Sequence, residues 1–186
     1  LALLAYPEIA SLPPDVRDRI QHFEGEHGRP SLLRRMLAQW PTALAALDSL
    51  YHPVMENGKL PRRFKEMLFV VSAHARGCLY CTRGHSRFLV REFGFTEEEV
   101  VQLREHPDDA GRDSAERVAA EYVRKISTEP YKTTDKDVQA LTSAGYSTEE
   151  IVEITAVPAV AGFTTTVASA MHLEDDLEAF GMEGYF

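Results

Sequence analysis

Cysteine is scarce in this 186-residue chain, which has only Cys78 and Cys81. Two thiols cannot staple a small fold, so a disulfide scaffold of the kind found in short secreted domains is excluded. Basic residues are also in short supply, with 20 Lys and Arg against 29 Asp and Glu and a net charge of −9. Nucleic acid is therefore a poor partner, because a phosphate-binding surface needs clustered positive charge. Strand signals are few. Repeats are limited to a loose alignment of residues 94–100 with 145–151, at an offset of 51. A duplicated helical unit or shared helix-start chemistry would each produce it, and two copies are too few for a solenoid.

Charge is absent from residues 154–173, a run of 20 without Asp, Glu, Lys or Arg. That length reaches a bilayer span, but four Thr, Ser169, Pro158, Gly162 and His172 dilute it. A buried core or interface helix is the expectation, with no membrane as partner. Residues 1–12 hold no basic segment followed by an apolar core, so no signal peptide is visible in them; the C-x-x-C pair fits a reducing cytosol, and a cytoplasmic location is expected.

What is present reads as helix. Hydrophobic residues make up 44% of the chain, enough for one core, so the length fits a single domain over 31–186 with a helical extension over 1–30. Pro13 and Pro14 open a helix with Val16, Ile20 and Phe23 on one face, stopping near Gly25 or Gly28. Ser31 caps the next, which carries Leu33, Met36, Leu37 and Trp40 until Pro41 kinks or restarts it. After a turn at Asn57-Gly58, a helix with Phe64, Met67, Leu68 and Val71 inward runs to about Arg76. Gly77 breaks it. Another helix runs from about Cys78 to Glu92 and closes at Gly94. Thr96 with Glu99, and Ser147 with Glu150, are capping boxes. Between them lie a loop at residues 106–109, a helix over 114–127 and a short helix capped by Thr134. The final long helix contains Pro158 and ends near Leu173, before an acidic, irregular tail. The prediction is an all-α fold.

Both cysteines fall in the stretch Glu66-x11-Cys78-x2-Cys81-x3-His85. At i and i+3 on a helix they share a face and lie close enough for a disulfide. Gly77 puts Cys78 near a helix N-terminus, where partial positive charge favours the thiolate. His85, one turn beyond Cys81, can exchange a proton with that sulfur. If the helices flanking Gly77 cross, Glu66 returns to the imidazole and orients it, completing a set of nucleophile, base and orienting group. Arg76 and Arg83 add positive potential or serve as surface charges. His74, Cys78, Cys81 and His85 also make a Cys2His2 set suited to zinc. On one helix, however, 74 to 85 spans about 16 Å, too far for one tetrahedral ion.

This constellation resembles the signature of the alkylhydroperoxidase D-like proteins of the carboxymuconolactone decarboxylase superfamily, and particularly their longer peroxidase-related subgroup. The flanking residues 60–68 and 77–81 agree with it, and the resemblance covers about residues 30–173. It implies an all-α fold that assembles as a homo-oligomer through long apolar helices. It also implies peroxide reduction by a cysteine pair, with neither metal nor cofactor. By position, Cys81 would attack the peroxide, Cys78 would resolve the sulfenic acid to a disulfide, and Glu66 and His85 would relay the proton. The partners would be a small hydroperoxide and an external dithiol reductant. One departure is Tyr80, where the family's best-defined peroxidases have a His.

On this reading the catalytic residues are Glu66, Cys78, Cys81 and His85, under a cleft lined by Trp40, Tyr51, Phe64 and Phe88. Two rivals remain: an acid–base enzyme of the carboxymuconolactone decarboxylase type that does not use the thiols, and a non-catalytic, oxidant-sensing helical oligomer.

Overall fold

Prolines, glycines and side-chain caps set the helix ends. The computed structural model describes residues 1–28, 30–107 and 113–178. Its elements are α1 (Pro14–His27), α2 (Leu32–Leu37), α3 (Pro41–Glu56), α4 (Arg62–Ala75), α5 (Leu79–Phe93), α6 (Glu97–Glu105), α7 (Ser114–Thr128), α8 (Asp135–Ser143) and α9 (Thr148–Ala170). Short 3-10 turns lie at Ile9–Ser11, Pro130–Lys132 and Leu173–Asp176, and no strand occurs among the described residues. Asp108, Asp109 and the tail beyond residue 178 lie outside the described residues.

The predicted caps form. Ser31 accepts from the Arg34 amide, and Thr96 and Ser147 make capping boxes with Glu99 and Glu150. Pro41 begins a new helix and does not kink the old one, which leaves Trp40 at the break with 67% of its surface exposed. Pro158 stays inside α9 as expected, and Pro53 is a second proline inside a helix, α3. The last helix stops at Ala170, a little before Leu173, because Met171 ends the ladder and the chain turns into 3-10 geometry.

The core is organised around α4, which packs against α3, α5, α6, α7 and α9. Every residue over 64–73 is buried, so the polar members of that run must find partners. Lys65 pairs with Glu153 of α9 at 2.9 Å and donates to the Asn57 carbonyl. Glu153 also accepts the amides of Lys59 and Leu60, which ties the turn before α4 to α9. Ser72 bonds the Ser127 hydroxyl of α7 at 2.8 Å. Glu66 is the third such residue, and it faces the functional site.

Helix α9 is long and apolar enough to cross a membrane by length and composition. Within the bundle it packs against α3, α4, α5 and α7, burying Ile154, Val157, Val160, Ala161, Thr164 and Ala168. Its opposite face leaves Val152 63% and Phe163 42% exposed among the described residues. Arg76 lies over Gly162 and donates to the Pro158 carbonyl beside the proline.

Candidate functional site

Gly77 shapes the site first. At φ +71° it occupies the left-handed region that a side chain disfavours, and the Gly77 and Cys78 amides bond back to the His74 and Ala73 carbonyls. This turn folds α5 back against α4. Cys78 is the N-cap of α5, one position ahead of the helix proper, and its sulfur accepts the Cys81 amide at 3.4 Å. Both thiols are free and buried, Cys78 completely and Cys81 all but 4%.

A hydrogen bond from the Cys81 thiol holds the Cys78 thiol down at about 7, helped by the Ser169 hydroxyl and the Cys81 amide, against burial, which pushes it up. The expected helix-terminus effect on Cys78 is therefore delivered by specific donors, one of them from α9.

Across the helix pair, Glu66 Oε2 lies 2.6 Å from His85 Nδ1. Glu66 is fully buried, and burial is the largest influence on it, raising its pKa. His85 and Arg62 outweigh that influence and hold the carboxyl below its ordinary value. Arg62 donates from Nε to Glu66 Oε1 at 2.7 Å and from its other branch to Glu56 at 2.8 Å. The imidazole is stacked on Phe69, centroids 3.7 Å apart. With Nδ1 engaged by the carboxylate, Nε2 is the ring nitrogen left for chemistry.

Cys81 and His85 meet in one small cavity of about 40 Å³, lined also by Phe23, Arg34, Tyr51, Phe69, Tyr80 and Thr164. It has room for a few water-sized groups. Of the aromatic residues expected to line a cleft, only Tyr51 does so. Trp40 is at the surface, Phe64 stacks on Tyr146, and Phe88 lies beside the Arg62 guanidinium. Tyr80 is buried, and its hydroxyl accepts the Leu33 amide at 3.3 Å, so the residue before Cys81 anchors α2 beside the site.

All four predicted residues converge here. His74 does not join them. It lies 3.8 Å from Glu105 and lines a separate groove of about 660 Å³, whose lining includes neither cysteine. The Cys2His2 set is thus not assembled, and no three His, Cys, Asp or Glu residues gather as a metal site among the described residues. Sequence reasoning missed Arg62, Phe69, Ser169 and Arg34. Arg62 alone left a local trace, being four residues before Glu66 on the same helix.

The all-α bundle thus holds two free thiols beside a carboxylate–imidazole couple. Residues 41–125, which hold Glu66, Cys78, Cys81 and His85, match the carboxymuconolactone decarboxylase family. No curated protein matches the chain. Among solved structures it is similar to an uncharacterized peroxidase-related protein, an AhpD core, from Ralstonia eutropha JMP134. The two share 24% identity and a TM-score of 0.85 over 97% of this chain and 96% of that one. A peroxidase-related protein from Silicibacter sp. TM1040 is 23% identical, TM-score 0.83, over 92% and 90%. The debrominase Bmp8 is 22% identical, TM-score 0.79, over 91% and 90%, and a form of it with one cysteine replaced by alanine is known in complex with 2,3,4-tribromopyrrole. These likenesses establish the AhpD-like helical fold.

Proposed function

We propose that this protein reduces small hydroperoxides with the Cys78–Cys81 pair, using Glu66 and His85 as proton relay. One observation carries the reading: Cys81 opens into a cavity that it shares with His85, whose far ring nitrogen is held by Glu66. Cys81 gives its proton to the imidazole and attacks the terminal oxygen of R–O–O–H. The S–O bond forms, the O–O bond breaks, and the departing alkoxide takes the proton from His85 to leave as ROH. Cys78 then attacks the Cys81 sulfenic acid, a disulfide forms, and hydroxide leaves to be protonated to water. A thiol held at about 7 suits Cys78 for this second step, because it is substantially ionised near neutrality. Two electrons pass from the sulfurs to the peroxide, and an external dithiol returns them by exchange.

The cavity of about 40 Å³ admits a group the size of O–O beside Cys81 and His85. The free thiol pair fits a reducing cytoplasm. The outer face of α9, with Val152 and Phe163 exposed, supports assembly as a homo-oligomer. Residues 1–30 are read as an extension to the domain over 31–186, placing Phe23 at the cavity.

The test is one equivalent of hydroperoxide added to reduced protein, followed by intact-mass and peptide analysis. Loss of two hydrogens within the peptide holding Cys78 and Cys81, abolished by Cys81→Ser, is the expected result. Full peroxide consumption by Cys81→Ser overturns the mechanism. Activity on a non-peroxide substrate that survives replacement of both cysteines points instead to acid–base catalysis by Glu66 and His85.

A further inference from the structure

Arg34 is a charged residue on α2 with only 6% of its surface exposed. Its Nη2 pairs with Asp48 at 2.9 Å, and its guanidinium lies 3.5 Å from the centre of the Phe23 ring. Its Nε, by contrast, is buried without a hydrogen-bond partner. A buried guanidinium N–H left unpaired is costly, and such groups are normally satisfied by protein, water or ligand. Arg34 lines the same small cavity as Cys81 and His85. It also lines, with Phe23 and Tyr51, an adjoining groove of about 240 Å³, so these three side chains border both spaces. Tyr80 fixes the arrangement, because its hydroxyl accepts the amide of Leu33, the residue next to Arg34. Tyr80, the residue before Cys81, thereby ties the start of α2 to the helix that carries the second thiol.

We propose that Arg34 is a further catalytic residue, whose Nε–H donates to the peroxide oxygen that leaves when Cys81 attacks. This rests on the peroxide reading above and deepens it. The substrate it defines is a hydroperoxide whose O–O group fits the inner cavity, with any organic substituent directed to the outer groove. As the O–O bond breaks, negative charge grows on the departing oxygen. A fixed cationic donor in a buried cavity stabilises that charge more than it stabilises the neutral peroxide. The proton that finally converts this oxygen to an alcohol or water still comes from His85. One buried N–H without a partner suits a single oxygen atom.

The experiment compares single-turnover oxidation of reduced protein by hydrogen peroxide, whose leaving group is hydroxide, and by peracetic acid, whose leaving group is the far more stable acetate. Arg34→Met is expected to slow the first about 100-fold, the scale of losing one oxyanion donor, and the second less than about 10-fold. Arg34→Lys retains charge and reach toward Asp48 but lacks the Nε–H. It is expected to show the same asymmetry, and it carries the test if the Met variant does not fold. Equal slowing with both oxidants assigns Arg34 a purely structural role and overturns the inference, as does an undiminished rate with hydrogen peroxide. A wild-type protein inert to both oxidants removes the peroxide reading itself, and this inference falls with it.

Discussion

Cys78 and Cys81 differ in environment although they are three residues apart. Cys78 receives hydrogen bonds from the Cys81 thiol, the Ser169 hydroxyl and the Cys81 amide, whereas Cys81 borders the cavity. Thiolate ultraviolet absorbance of the reduced protein should therefore show a transition centred at about 7, and Cys81→Ala, which removes the largest cause, should move it upward. A wild-type midpoint above about 8.5, the value of a free thiol, counts against this account. The sign for stability follows. The folded thiol at about 7 lies below its ordinary 9.0, so the thiolate's contribution is fully present above pH 9 and is lost as pH falls through 7. The melting temperature of the reduced protein, relative to Cys78→Ser, should rise across that window. At the neighbouring couple, Glu66→Gln retains shape but removes the charge that orients His85. Single-turnover peroxide reduction should slow by about 100-fold, and an unchanged rate would exclude the carboxylate from the relay.

At the scale of elements, α4 and α9 depend on polar clamps of unequal strength. The Ser147–Glu150 capping box starts α9 at an exposed position, so Ser147→Ala should cost about 1 kcal/mol. Glu153, one turn further on, answers the fully buried Lys65 and two backbone amides. Removing it in Glu153→Ala strands a buried ammonium, which should cost about 3–5 kcal/mol. Urea denaturation of the two variants separates these values, and equal losses would show that Lys65 finds other partners. The glycine turns serve the same framework: Gly94 sits at φ +69° as the C-cap of α5, the conformation that ends a helix with little strain only for glycine.

For the whole molecule, α9 has two faces. One is buried against α4 and its neighbours, and the other presents Val152 and Phe163 to solvent. On the oligomer reading, sedimentation velocity should give a mass above the 20.9 kDa of one chain. Phe163→Glu, which would bury an unpaired charge in the contact, should return the protein to that mass. A wild-type protein that sediments as a single chain removes the homo-oligomer from the proposal.

Much of this protein was legible in the amino-acid order because its signals are local. Helix ends follow from capping chemistry at Ser31, Thr96, Thr134 and Ser147 and from glycines at 77 and 94, and each acts within one turn of chain. The site motif was legible for a related reason: Cys81 and His85 lie on one helix that Cys78 caps, and a single tight turn returns Glu66 to them. Tertiary packing decided what distance along the chain conceals. It turned His74 away toward Glu105, left Trp40 at the surface and brought Ser169 to the Cys78 sulfur from 91 residues away. It also set Arg34 at the cavity, beside Leu33, whose amide donates to the Tyr80 hydroxyl. Such placements depend on how helix faces pack against one another, and side-chain periodicity specifies that a face is buried without naming the surface that will cover it.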